Sequence, residues 1–94
     1  MRFDVENIRD SGFYSEPKWI KVRDYVRERD GMKCAACGKV ITEKPEVDHI
    51  IPLTWDNVRD WNIAYNPDNL QLLHHECHNR KTKRDKRNRN RLFY

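Results

Sequence analysis

The chain has 94 residues, 37% of them hydrophobic and 36% charged, with a formal net charge of +4. One domain of this size buries only about 60–65% of the surface its unfolded chain exposes, so the core is thin and a metal staple is the expected supplement. Three cysteines cannot close a disulfide framework, no apolar run approaches the ~18–20 residues of a membrane span, and the start at Met1 to Asp4 carries no apolar signal stretch; the expectation is a protein of a reducing, cytoplasmic compartment.

The elements follow in chain order. Phe3, Val5, Ile8, Phe13 and Tyr14 read as an arm packing over the domain. Ser15 is placed to cap a helix that has Pro17 in its first turn and ends near Gly31. Trp19, Val22 and Val26 recur at helical spacing with Tyr25 beside them, which is a core stripe and assigns this helix to the scaffold. After a Cys34 to Cys37 knuckle, Val40 and Ile41 predict a short strand and Thr42 to Pro45 a turn, and Glu46 to Ile50 predicts a strand broken by Pro52. Thr54 to Asn69 reads as a long loop with its own packing residues, Trp55 and Trp61, and with a turn signal at Asn66 to Asn69. Leu70 to Leu73 forms the second strand, and a helix starts near His75 and continues through the basic residues beyond it.

The chemistry is concentrated in two clusters that hold all three cysteines and three of the four histidines. A two-residue spacer lets two soft ligands turn back onto one tetrahedral ion, so Cys34, Cys37, His74 and Cys77 make a Cys3His set suited to structural zinc. Buried free thiols are the bland alternative. Asp48, His49 and His78 are left over, and they point to a second site that works on a substrate. An isolated Asp-His pair is more often a surface pair than a site; Asn69 and His78 are what raise it above that. His75, inside the cluster, reads as exposed or phosphate-facing.

Charge is distributed unevenly. Between residues 79 and 91, Arg80, Lys81, Lys83, Arg84, Lys86, Arg87, Arg89 and Arg91 stand against the single Asp85, so the rest of the chain is net acidic. A basic block on a mildly acidic body is the electrostatic footprint of a protein that meets a polyanion with one surface. A solvated tail is the ordinary alternative, but the run begins beside His78, which favours nucleic-acid contact through phosphates.

Asp48-His49, then Asn69, then His78 to Thr82, framed by the Cys34/Cys37 and His74/Cys77 pairs, resembles the HNH endonucleases with their ββα-metal motif. The likeness spans roughly residues 13–84, and the short length, the Phe13, Tyr14 and Trp19 opening and the Asn69 to Asn79 segment are similar to small free-standing phage and prophage members. It implies an α+β, zinc-stabilised ββα-metal (His-Me finger) domain with an N-terminal helix, an arm over 1–12, a core over 13–84 and a basic tail over 85–94. It also implies a DNA phosphodiester hydrolase. His49, with an ordinary pKa near 6.5, would be the general base. Asp48, on the opposite side of the strand, and His78 would hold Mg2+ or Mn2+, with positions left open for water and phosphate. Asn69 would brace the loop and orient His49. His74 stands where the family usually has a third zinc cysteine, and histidine is a competent substitute. Arg80, Lys81, Lys83, Arg84 and Arg87 are the candidate DNA contacts, positioning phosphates rather than reading bases.

Some relatives of this kind act beside the DNA-packaging terminase, which makes a phage terminase large subunit a candidate partner inside a bacterial host. One site per chain implies a nicking monomer, or a weak dimer for double-strand breaks. The competing reading is a zinc-stabilised nucleic-acid-binding or partner-recruiting module without nuclease activity; the full Asp48, His49, Asn69 and His78 set speaks against it.

Overall fold

The computed structural model describes residues 7–91, with side chains as far as Asp85. The Phe3 and Val5 part of the expected arm and the Arg87 side chain lie outside the described residues. Ile8 onward forms two short 3-10 turns, Ile8–Ser11 and Phe13–Ser15, that deliver Phe13 into the core.

Helix α1 runs Pro17–Asp30. Its N-cap is Glu16, in extended conformation and without a side-chain cap bond, rather than the expected Ser15. Pro17 is the reason: at the first helical position it drives the preceding residue out of the helical region. Gly31 ends the helix in the left-handed conformation with φ 56, as a residue lacking Cβ does readily. Trp19 and Val26 are buried and Val22 packs against the core, whereas Tyr25 is 55% exposed.

The knuckle follows as a tight hairpin in which Cys34 N–H bonds Lys39 O and Gly38 N–H bonds Cys34 O. The strand expected at Val40 and Ile41 shrinks to one antiparallel bridge, Lys33 to Val40. Val40 is exposed and the chain turns away at once toward Pro45, so the pairing has nothing to extend it.

Strands β1, Glu46–His49, and β2, Leu70–Leu73, pair antiparallel with Glu46 opposite Leu73, Val47 opposite Leu72, Asp48 opposite Gln71 and His49 opposite Leu70. Between them the expected loop carries a short helix α2, Trp61–Ala64, capped by the Asp60 side chain on Asn62 N–H, and a 3-10 turn at Pro67–Asn69 capped by Asn66. Helix α3, His75–Arg91, starts directly after β2. Because successive side chains in a strand point to opposite faces, Asp48 turns to α3 and His49 to α1. Arg29 fixes α1 to the start of β2 by donating to Pro67 O at 2.7 Å and Leu70 O at 2.8 Å. Among the described residues no helix is long and apolar enough to cross a membrane.

Candidate functional site

The knuckle and the first turn of α3 bring Cys34, Cys37, His74 and Cys77 together, with their ligand atoms all within 4.8 Å of one another. Zn–S bonds of about 2.3 Å place tetrahedral ligands roughly 3.8 Å apart, so this set fits zinc after a small contraction. The surroundings suit a thiolate at Cys34, whereas the Cys77 thiol is pulled down by its Arg80 hydrogen bond but ends raised, through burial and its neighbours Cys34 and Cys37. Burial pushes the Cys34 thiol up, but backbone N–H groups of His74, Cys37 and Ala36 and the His74 side chain outweigh it and bring the thiol to about 6. Arg80 donates to Cys77 Sγ at 3.2 Å, and the ring nitrogens of His74 lie 3.4 Å from Cys37 Sγ and 3.2 Å from Val40 O. The carbonyl at the second nitrogen selects the tautomer that leaves Nδ1 free for the metal.

A second cluster lies across β1. Asp48 and His49 are each only 6% exposed. Asp48 Oδ1 is 3.5 Å from His78 Nε2, while Oδ2 accepts from Gln71 Nε2 at 2.9 Å and pairs with Lys81 Nζ at 3.3 Å. Lys81 is itself held by His49 O at 3.2 Å and Asp85 at 2.8 Å. Asp48, His78, Lys81 and Asp85, with His49 and Tyr14, line a pocket of about 200 Å3. Burial raises the Tyr14 hydroxyl above its ordinary value, and the Asp48 charge adds to that.

His49 is fixed on both flanks. Its ring stacks on Trp19 at 5.1 Å between centroids, with Phe13 at 6.1 Å. Its Nε2 lies 3.0 Å from Ala64 O; a carbonyl only accepts, so this nitrogen carries the proton and Nδ1 keeps a lone pair. Burial lowers the imidazole below its ordinary 6.5, against upward pushes from the Ala64 carbonyl and the Asp48 charge. Asn69 ties the segments around this histidine: its Oδ1 accepts from Ile51 N–H at 2.8 Å and its Nδ2 donates to Ile63 O at 2.9 Å. Ile63 precedes the residue whose carbonyl holds His49.

Residues 34–84 match the sequence pattern of the family described as HNH endonuclease. A protein of Lactococcus phage SK1, named a probable HNH endonuclease, is 56% identical over 87 residues that make up 93% of each chain. The chain belongs to the HNH endonuclease family. The crystal structure of an HNH endonuclease from deep-sea thermophilic bacteriophage GVE2, determined with manganese ion, superposes with a TM-score of 0.67 at 39% identity, covering 85% of each chain. This HNH protein is therefore a nuclease, an enzyme that hydrolyses phosphodiester bonds of DNA, on a small α+β fold with a Cys/His cluster suited to structural zinc.

Of the residues the sequence singled out in this HNH chain, Asp48, His49 and His78 line one pocket, Asn69 lies beside it, and the four zinc candidates meet in one cluster. Lys83 and Arg84 are exposed on α3. Arg80 is turned onto the Cys77 sulfur, and Lys81 onto Asp48, His49 O and Asp85. His75 is exposed and lies 3.2 Å from the Glu46 carboxylate. Sequence reasoning missed Gln71, Trp19 and Ala64 as neighbours of the site. Gln71 had a signal: once His49 pairs with Leu70, Gln71 must face Asp48 across the ladder.

Proposed function

We propose that this HNH endonuclease hydrolyses DNA at the Asp48, His49 and His78 pocket with a divalent cation, Mg2+ or Mn2+, while zinc at Cys34, Cys37, His74 and Cys77 holds the frame. The observation that carries the reading is the convergence on one pocket of a carboxylate oxygen and an imidazole nitrogen 3.5 Å apart with a second imidazole whose burial favours its neutral form. Asp48 Oδ1 supplies a hard oxygen and His78 Nε2 a borderline nitrogen, and two protein donors leave room for water and phosphate oxygens. A cation bound there supplies positive charge against the phosphate and the departing oxygen.

The chain's own groups do the rest. His49 Nδ1 accepts a proton from water as the water oxygen bonds phosphorus and the bond to the leaving oxygen breaks. Gln71 holds Oδ2 of Asp48 and so aims Oδ1 at the pocket. Asn69 acts on His49 through Ile63 and Ala64, as a positioning residue. Lys81 adds a fixed positive charge at the pocket wall. Lys83, Arg84 and Arg87 with their basic neighbours give sequence-independent attraction to the phosphate backbone.

The related phage proteins support a phage or prophage origin and action in the cytoplasm of a bacterial host. Within that setting the reading is a core over 13–84 flanked by an arm and a basic tail, working as a monomer or weak dimer beside a terminase large subunit during DNA packaging. Supercoiled plasmid tests the core of the proposal: nicked or linear product should form with Mg2+ or Mn2+ and vanish with chelator. A purified, zinc-containing protein that binds the plasmid and leaves it intact with either ion would sink it in favour of a binding module. Co-purification with the terminase large subunit from infected cells tests the partner separately.

A further inference from the structure

The catalytic pocket does not close at His78. Tyr14, Val47 and His78 also wall a wider groove of about 560 Å3 between α1 on one side and residues 44–47 with the start of α3 on the other. Its basic groups are Arg9, Arg23, Arg27 and Lys44, with Glu46 as its acidic lining residue, and the Glu46 carboxylate is met by His75. Arg23 pairs with Asp24, itself 58% exposed, so solvent screens that pair and it is readily exchanged. Arg27 is the sharper feature: among the described residues its Nε is buried without a hydrogen-bond partner. Buried donors in native structures are nearly always satisfied, and an exception asks for an explanation.

We propose that this groove carries the sugar-phosphate backbone next to the scissile phosphate, with Arg27 and Arg23 of α1 as its phosphate contacts. The inference rests on the nuclease reading of the adjoining pocket and extends it to a helix that the sequence marked only as scaffold. A phosphate at Asp48 and His78 is covalently joined to its neighbours, and a strand leaving the pocket past His78 enters a trough with an excess of positive charge. A modest rotation of Arg27 presents Nε and a terminal nitrogen side by side, the geometry that suits a phosphate. Such contacts position the strand without reading its sequence.

The test uses the zinc-containing full chain and a duplex oligonucleotide. Binding is followed by fluorescence anisotropy across a salt series in a His49→Ala background, and KM and kcat are measured with His49 intact. Arg23→Gln/Arg27→Gln should reduce the log-log salt slope by about 0.9 for each phosphate left without its arginine and raise KM by about tenfold across unrelated sequences, with a smaller change in kcat. If that pair loses zinc or fails to fold, Arg23→Gln alone, which removes only a solvent-screened pair with the exposed Asp24, decides the matter by the same slope and KM. Variants that keep the wild-type slope and KM, or that lose only kcat, overturn the proposal. Wild-type protein that shows the slope yet cuts nothing with Mg2+ or Mn2+ would instead remove the nuclease reading and leave the groove as a DNA track.

Discussion

Two clusters built from similar residues meet at one turn of one helix, and in the proposed reading they do different work. Cys77 and His78 are neighbours in sequence, but consecutive side chains on a helix diverge by about 100°, so α3 gives Cys77 to the knuckle and His78 to β1. At the knuckle four candidate ligands stand close enough to fill a tetrahedral sphere between them, and Arg80 donates to one of the sulfurs. At β1 the protein offers one carboxylate and one imidazole 3.5 Å apart, open to a pocket. Ligand count, more than ligand type, separates a metal that holds a fold from one that meets a substrate.

The largest effect is expected at the closed end. Cys34→Ser or Cys77→Ser should give insoluble or unfolded protein, because a structural zinc contributes folding free energy of order 10 kcal/mol and a domain of this size has little core to replace it. Soluble, cooperatively unfolding protein with an unchanged melting temperature would show that these thiols are merely packed. At the open end the expectation reverses. His49→Ala should keep its zinc and its fold while cleavage falls by about 100-fold to 10,000-fold, the usual worth of general-base assistance; plasmid nicking at the wild-type rate would remove His49 from the chemistry.

Much of this division was legible in the sequence, and the physical reason is locality. The four zinc candidates that meet in one cluster sit in two short motifs, and the opposed faces of Asp48 and His49 follow from the alternation of any strand. What escaped was contributed from far along the chain. Trp19 stacks on a histidine 30 positions away, Gln71 reaches Asp48 only through strand register, and the Ala64 carbonyl comes from a helix hidden in an expected loop. Arg80 looked like part of the basic face because charge runs are read by sign; its direction onto Cys77 depends on the zinc knuckle packing against α3. Ser15 lost its cap to Pro17, and the Val40–Ile41 strand lost its extension to the turn before Pro45.

Smaller effects are expected around His49. Asn69→Ala removes the bonds to Ile51 and Ile63 and leaves their backbone groups unpaired, which should cost about 1–3 kcal/mol of stability and lower kcat with little change in DNA affinity. Chemical denaturation beside single-turnover cleavage would read both, and a variant as stable and as fast as wild type would deny Asn69 its bracing role. The slightest signature is in pH. Because burial lowers the His49 imidazole below 6.5, its base form persists as pH falls through 6.5, and the acid limb of the cleavage profile should lie below that value. A limb above 6.5, absent from an otherwise folded His49→Ala protein, would contradict the assigned environment.

The most direct test of two metals with two jobs is to measure both in one sample. Protein purified, treated briefly with a mild chelator and desalted should retain one zinc per chain by elemental analysis, cut no supercoiled plasmid, and begin to cut when Mg2+ or Mn2+ is added. Undiminished cleavage by the zinc-only protein, or loss of zinc with the fold and melting temperature intact, would contradict the account.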